Sequence, residues 1–206
     1  MEIVLEEIGR RFNREWIFKD ISYTFRSGES YAILGINGSG KSTLLQLIAG
    51  ALTPSTGQIS YVLDQKHIPA EQFFSFLSLA TPYMELIEDY TLEEMLSFHF
   101  AFKNPVQQLS SKEMITLLNM EKSKDKQLKY FSSGMKQRVK LVLAVMSDTP
   151  ILLLDEPTAN LDKEGAEWYH QLIRDYTSQR LIIVCSNQPE EYTFCQHRLY
   201  IADYKL

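Results

Sequence analysis

The stretch Ala32–Gly50, "AILGINGSGKSTLLQLIAG", decides the fold. An apolar run enters a glycine-rich turn, meets a lysine and leaves as an apolar helix. Gly35, Gly40, Lys41 and Ser42 meet the spacing G-x-x-x-x-G-K-[ST]. They do so between a predicted strand and a predicted helix, the context in which this spacing has a mechanism. The glycines let backbone N–H groups turn inward around a β-phosphate, and Asn37, Gly38 and Ser39 complete that loop. Lys41 adds a point charge on the β/γ oxygens. Ser42 offers a hydroxyl to Mg²⁺, and Thr43 reaches the α-phosphate at the helix N-terminus. The stretch predicts a nucleoside-triphosphate site.

Outward from the loop, the first half reads as strands rich in β formers: "EIVLEEI", "WIFKDISYTF", "ESYAILG" and "QISYVLD". The loop helix is expected over 42–49, with Gly50 as its C′ residue. "DYTLEEMLSF" carries a capping box, with Thr91 as N-cap and Glu94 three residues on. "SSKEMITLLNM" is a second helix signal, and "EKSKDKQ" a solvated charged loop. "SSGMKQRVKLVLAVMS" reads as an amphipathic helix opening at a serine. "PILLLDEP" is a short apolar strand ending in two acids. A helix over "DKEGAEWYHQLIRDYT", a buried strand "RLIIVCS" and a last strand "HRLYIAD" follow. Strands alternating with helices imply a mainly parallel sheet and an α/β fold.

The acids after "ILLL" are Asp155 and Glu156. Beside a phosphate loop, the first acid of such a strand holds Mg²⁺, usually through water. The next can orient or deprotonate an attacking water.

The chain has 206 residues, 45% of them hydrophobic, and a net charge of −5. That suits one globular domain and argues against a broad grip on nucleic acid. No stretch approaches the roughly 18–20 apolar residues that span a bilayer. The N-terminal "MEIVLEEIGRRF" has acids where a secretion signal needs bases, so the chain is expected in the cytosol. Cys185 and Cys195 make neither a zinc spacing nor a redox pair and are expected as buried free thiols.

Taken together, these motifs resemble the ATPase subunit of ATP-binding-cassette (ABC) transporters. The decisive stretch is "FSSGMKQR", Phe131–Arg138. It is similar to the family signature Leu-Ser-Gly-Gly-Gln, retaining Ser132 and Gly134 and differing at Phe131, Ser133 and Met135. "TANLD" after Pro157 resembles the D-loop and places Asp162 at a subunit interface. Phe12, 23 residues before Gly35, stands where the family has an aromatic that stacks on adenine. Trp16 is the alternative, and core packing is open to either. The resemblance implies a P-loop NTPase core, an N-terminal antiparallel β subdomain and an inserted helical subdomain at about 64–130.

It further implies that the whole chain is one ATPase domain binding ATP and Mg²⁺. Ser132 and Gly134 would contact the γ-phosphate bound to a second subunit, in a homodimer or heterodimer that forms with ATP. The partner would be a separate membrane permease, leaving the chain peripheral on the cytoplasmic face. Large apolar residues in "PYMELI" and at Phe98, Phe100 and Phe102 suggest the permease-docking surface, or the small subdomain's own core. Repair and chromosome ATPases share the signature but separate it from the phosphate loop by long coiled coils. Here Lys41 and Ser132 lie 91 residues apart, without sustained heptads.

Two departures stand out. The family's glutamine before the residue matching Thr91 is missing, its place falling near Pro82. The family's histidine after the penultimate strand is replaced by Asn187, expected to act as a weaker catalytic switch. His197 sits on the last strand and is not expected to substitute. These losses leave an alternative open: an ATP-dependent clamp or regulator that hydrolyses little.

Overall fold

A computed structural model describes residues 1–205. They divide into two compact units: 1–78 with 149–156 and 179–205, and 79–148 with 157–178.

The first unit opens with a long hairpin, β1 (Glu2–Phe12) and β2 (Glu15–Arg26). Ile3, Leu5 and Ile8 of β1 and Phe18, Ile21 and Phe25 of β2 are buried, while the residues between them are exposed or half-buried. This is the one-sided burial of an antiparallel sheet. β4 (Thr56–Leu63) pairs antiparallel with β1, and β5 (Lys66–Ile68) returns against β4. The turn between them has Asp64 at φ 48° and Gln65 at φ 64°, so both central residues are left-handed, as a tight hairpin turn requires.

The second sheet holds β3 (Ser30–Leu34), β6 (Leu77–Ala80), β7 (Ile151–Asp155), β8 (Leu181–Ser186) and β9 (His197–Tyr200), in the order β6-β7-β8-β3-β9. β3, β7 and β8 are buried at every residue, which is why they read as unbroken apolar runs. β7, β8, β3 and β9 run parallel in register, with Leu34 opposite Ser186 and Asp155 opposite Cys185. The three loops that leave β3, β7 and β8 therefore emerge side by side at the carboxyl edge, where open α/β sheets bind ligands. Helix α1 (Lys41–Ile48) starts one residue before its expected first residue and ends with Gly50 at φ 72°. A one-turn α-helix, α2 (Ala70–Phe73), lies in the same unit.

The second unit is helical: α3 (Leu92–Phe100), α4 (Ser111–Leu117), α5 (Ser133–Val145) and α6 (Lys163–Tyr176). Thr91–Glu94 forms the expected capping box, and Ser110–Glu113 forms another. Trp168 Nε1 donates to Leu117 O at 3.0 Å, with the Arg138 guanidinium 5.2 Å above its ring. These contacts tie α4, α5 and α6 together.

Three local readings change. Within 64–80 lie the β5 hairpin and β6, so the helical elements of the second unit begin later, at α3. The last strand stops at Tyr200, because Ile201 turns into the core and starts a 3₁₀ turn to Tyr204. Cys185 is buried, but Cys195 is only half-buried.

Candidate functional site

The phosphate loop follows β3. Gly38 and Gly40 have φ of 74° and 106°, left-handed values that turn successive N–H groups toward one centre. A Cβ on Gly40 would lie 2.4 Å from Ile17 Cγ2, so packing against β2 also demands glycine there. Lys41 is buried and reaches back across the loop, Nζ donating to Gly35 O at 2.9 Å and Ile36 O at 3.2 Å. Ser42 and Thr43 open α1 beside it.

At the end of β7, Asp155 is 3% exposed, and its Oδ1 has no hydrogen-bond partner among the described residues. Burial raises its pKa. Ser42, through a side-chain hydrogen bond, and Lys41 lower it, while Glu156 and Glu191 raise it. A buried carboxylate oxygen without a partner, beside a hydroxyl, is an all-oxygen set that fits a hard divalent cation such as Mg²⁺. That ion commonly takes one or two protein ligands and completes its shell with phosphate oxygens and water. Glu156 follows with φ 44°, held by its N–H donating to Cys185 O at 2.9 Å. A non-glycine residue in that region is a strained conformation of the kind that marks functional turns.

Asn187 leaves the end of β8 and donates through Nδ2 to Asn37 Oδ1 at 2.9 Å. Gly35, Asn37 and Asn187 line one cleft of about 750 Å³ with Ile36, Tyr192 and Tyr200. His197 pairs with Glu29 and stacks on Tyr31, three register positions back from the loop end of β3, as its place on the last strand implies.

A second cluster lies in the helical unit. Ser132 caps α5, its Oγ accepting from Met135 N at 3.2 Å. A Cβ on Gly134 would lie 2.9 Å from Asn160 O, so glycine at this position permits a close approach to the backbone of residue 160. Asp162 caps α6, its Oδ1 accepting from Gly165 N at 2.8 Å. Ser132, Gly134, Arg138, Asn160 and Asp162 share a cavity of about 490 Å³. Arg138 and Asn160 lie in the quoted signature and D-loop stretches but are not singled out there, because the sequence does not show that they share a cavity.

Near the β1–β2 turn, Phe12 is 51% exposed, with the Arg10 guanidinium 4.7 Å from its ring centroid. Trp16 is half-buried, flanked by Arg11 and Lys19 and packed on Gly9. Where the family's glutamine is missing, Thr81 and Pro82 offer their carbonyl oxygens to Lys140 Nζ, at 3.4 and 2.7 Å. Burial pushes the pKa of that amine down.

A glycine-rich loop between a parallel strand and a helix, with an acid at the end of a neighbouring strand, defines a P-loop NTPase. The signature cluster narrows this class. The sequence model of the ABC transporter family matches residues 18–159, and the chain belongs to that family. It is 30% identical over 183 residues to the ABC transporter ATP-binding protein YybJ of Bacillus subtilis (strain 168), covering 88% of this chain and 84% of YybJ. It is 28% identical to the linearmycin resistance ATP-binding protein LnrL of the same organism, covering 96% of this chain and 65% of LnrL.

Among solved structures, the ATP-binding subunit of an ABC transporter superposes with a TM-score of 0.81 at 22% identity, covering 97% of this chain and 85% of that one. A dimeric post-hydrolysis state of the ATP-binding cassette MJ0796 bound to ADP and Pi superposes with 0.79 at 20% identity, covering 96% and 93%. Both confirm the fold: a parallel core sheet, an antiparallel β subdomain and helices. Among the described residues, no helix is long and apolar enough to cross a membrane.

Proposed function

We propose that this ABC ATPase binds Mg-ATP between its phosphate loop and Asp155, hydrolyses it with Glu156 as general base, and drives a separate membrane permease. The observation that carries the reading is the buried, unpartnered Oδ1 of Asp155 beside Ser42 and Lys41. Loop N–H groups and Lys41 bind the phosphate oxygens, Asp155 and Ser42 hold Mg²⁺, and Thr43 meets the α-phosphate. Mg²⁺ bound there neutralises charge on the β- and γ-phosphate oxygens.

Phe12, with half its surface free, stacks on adenine in preference to the flanked Trp16. Glu156 takes a proton from water as the water oxygen bonds to the γ-phosphorus. The bond to the β–γ bridging oxygen breaks, releasing ADP and inorganic phosphate. The second N–H of the Asn187 amide donates to a γ-phosphate oxygen.

Ser132, Gly134 and Asp162 act across a dimer interface, completing the shell of a nucleotide held by a second ATPase subunit. Association and ATP binding then strengthen each other by the same free energy. The dimeric MJ0796 cassette supports this. The helical unit supplies the permease contact: Tyr83 is 85% and Phe102 76% exposed, and Phe98 and Phe102 meet edge to face at 5.3 Å. That contact holds the chain at the cytoplasmic face of the membrane.

Single-turnover hydrolysis tests the reading. Glu156→Gln retains ATP binding, loses about 10²–10⁴ in rate, and accumulates an ATP-bound dimer visible by light scattering. Hydrolysis at the parent rate would show that Glu156 is not the base. A parent that binds Mg-ATP without turnover would favour the clamp.

A further inference from the structure

We propose that Asn37 is a positioning residue that aims the Asn187 amide and thereby sets how strongly the site distinguishes ATP from ADP. The inference rests on the reading of the site given above.

A histidine ring presents a nitrogen on either edge. An asparagine presents an oxygen on one side and an NH₂ on the other, and only the NH₂ can serve an anion. Asn187 is solvent-exposed, so its own loop does not choose between the two. Asn37 does: its Oδ1 accepts from Asn187 Nδ2 at 2.9 Å. That bond turns the N–H edge toward the phosphate loop and the carbonyl away. The NH₂ has two hydrogens. One is spent on Asn37, and the other is left for a γ-phosphate oxygen.

The sheet makes the pairing possible. Leu34 and Ser186 are register partners on adjacent parallel strands, so the loops carrying Asn37 and Asn187 leave the same edge together. The Asn187 loop is held from below. Ser186 donates through Oγ to Glu191, a fully buried carboxylate. Gln188 N donates back to Ser186 Oγ at 2.8 Å. Asn187 thus stands on a fixed base, with its side-chain orientation set, among the described residues, by one hydrogen bond.

ADP has no γ-phosphate, so only ATP affinity depends on that orientation. Losing a hydrogen bond to an ionised phosphate oxygen changes an equilibrium roughly tenfold or more, and losing only its aim changes it by part of that. Calorimetry with Mg-ATP and Mg-ADP, in a Glu156→Gln background that holds ATP intact, measures the ratio of affinities in four proteins: the background, Asn37→Ala, Asn187→Ala and both together. Asn37→Ala lowers the preference for ATP by about fivefold and has no effect on it once Asn187 is alanine. Equal weakening of both nucleotides, a raised preference for ATP, or the same effect without Asn187 would overturn the proposal. A background protein that binds neither nucleotide would refute the ATP reading and this inference with it. Independently of nucleotide, the side-chain amide signals of Asn187, assigned by their loss in Asn187→Ala, shift in nitrogen–proton correlation spectra on Asn37→Ala. Unchanged signals would show that the two amides do not meet.

Discussion

Asp155→Asn separates what the carboxylate costs the fold from what it gives the site. Burial, with the carboxylates of Glu156 and Glu191, outweighs the Ser42 hydrogen bond and Lys41 and raises the Asp155 pKa, and its Oδ1 has no hydrogen-bond partner among the described residues. Its negative charge is thus a burden on the nucleotide-free protein at neutral pH. Asparagine keeps the shape and removes the charge. Asparagine still leaves a polar atom unsatisfied there, so the gain is only the excess that a charged group costs over a neutral one, on the order of 1–2 kcal/mol, and in a domain of this size each kcal/mol moves Tm by about 2–4 °C. The Ser42 hydrogen bond offsets part of that cost, so the expected gain without nucleotide is about 2–6 °C.

Ligand reverses the order. At a hundred times Kd, Mg-ATP stabilises a binding-competent protein by about 2.7 kcal/mol. The Mg²⁺-dependent part of that increment requires Asp155. Thermal melts in EDTA, in ATP with EDTA and in Mg-ATP should cross: the variant melts above the parent without metal, and Mg²⁺ adds nothing to its response to ATP. A variant that melts below the parent without nucleotide, or that keeps the Mg²⁺ increment, refutes the reasoning.

Four further outcomes follow from the same geometry. Asn187→His should raise kcat about tenfold, since a protonated imidazole adds a positive charge to a bond that the neutral amide makes to the same anionic oxygen, an increment of about 1–1.5 kcal/mol; a slower, folded variant would mean that the site is built around asparagine. Arg180 Nη2 donates to Ser78 Oγ and Thr149 Oγ1, both at 2.8 Å, inside the first unit; Arg180→Met leaves buried hydroxyls short of a donor, and urea denaturation should show a loss of about 2–4 kcal/mol, an unchanged midpoint counting against it. Burial and Lys103 hold the His99 pKa below its ordinary 6.5, so the fold binds fewer protons than the unfolded chain. Stability from the neutral ring is present above 6.5 and is lost as pH falls through the lower folded value; His99→Gln should flatten that acid limb of Tm against pH, and an unaltered limb assigns it elsewhere. Polar substitution at Tyr83 and Phe102 should abolish transport in membranes while ATPase activity of the purified chain survives, and unaffected transport would move the docking surface elsewhere.

What was legible in the sequence is what neighbouring residues decide among themselves. The phosphate loop declares itself because glycine, lysine and serine are needed at fixed offsets. The Thr91–Glu94 box declares itself because a cap and its partner are one helical turn apart. The apolar strands show because burial on both faces leaves no alternation. The turn at Asp64–Gln65 was hidden: neither residue is glycine or asparagine, and the left-handed pair is imposed by β4 and β5 closing on each other. Arg138 and Asn160 were hidden because their cavity is made by approach across the chain. Asn187 lies between these cases. Its substitution for histidine was visible as a departure, and read alone it predicts only a weaker donor. The donor's direction depends on Asn37, 150 positions earlier, which the sequence marked only as part of the phosphate loop. On the proposed reading the chemistry of the switch is a property of the pair, and a residue-by-residue comparison with the family pattern sees just half of it.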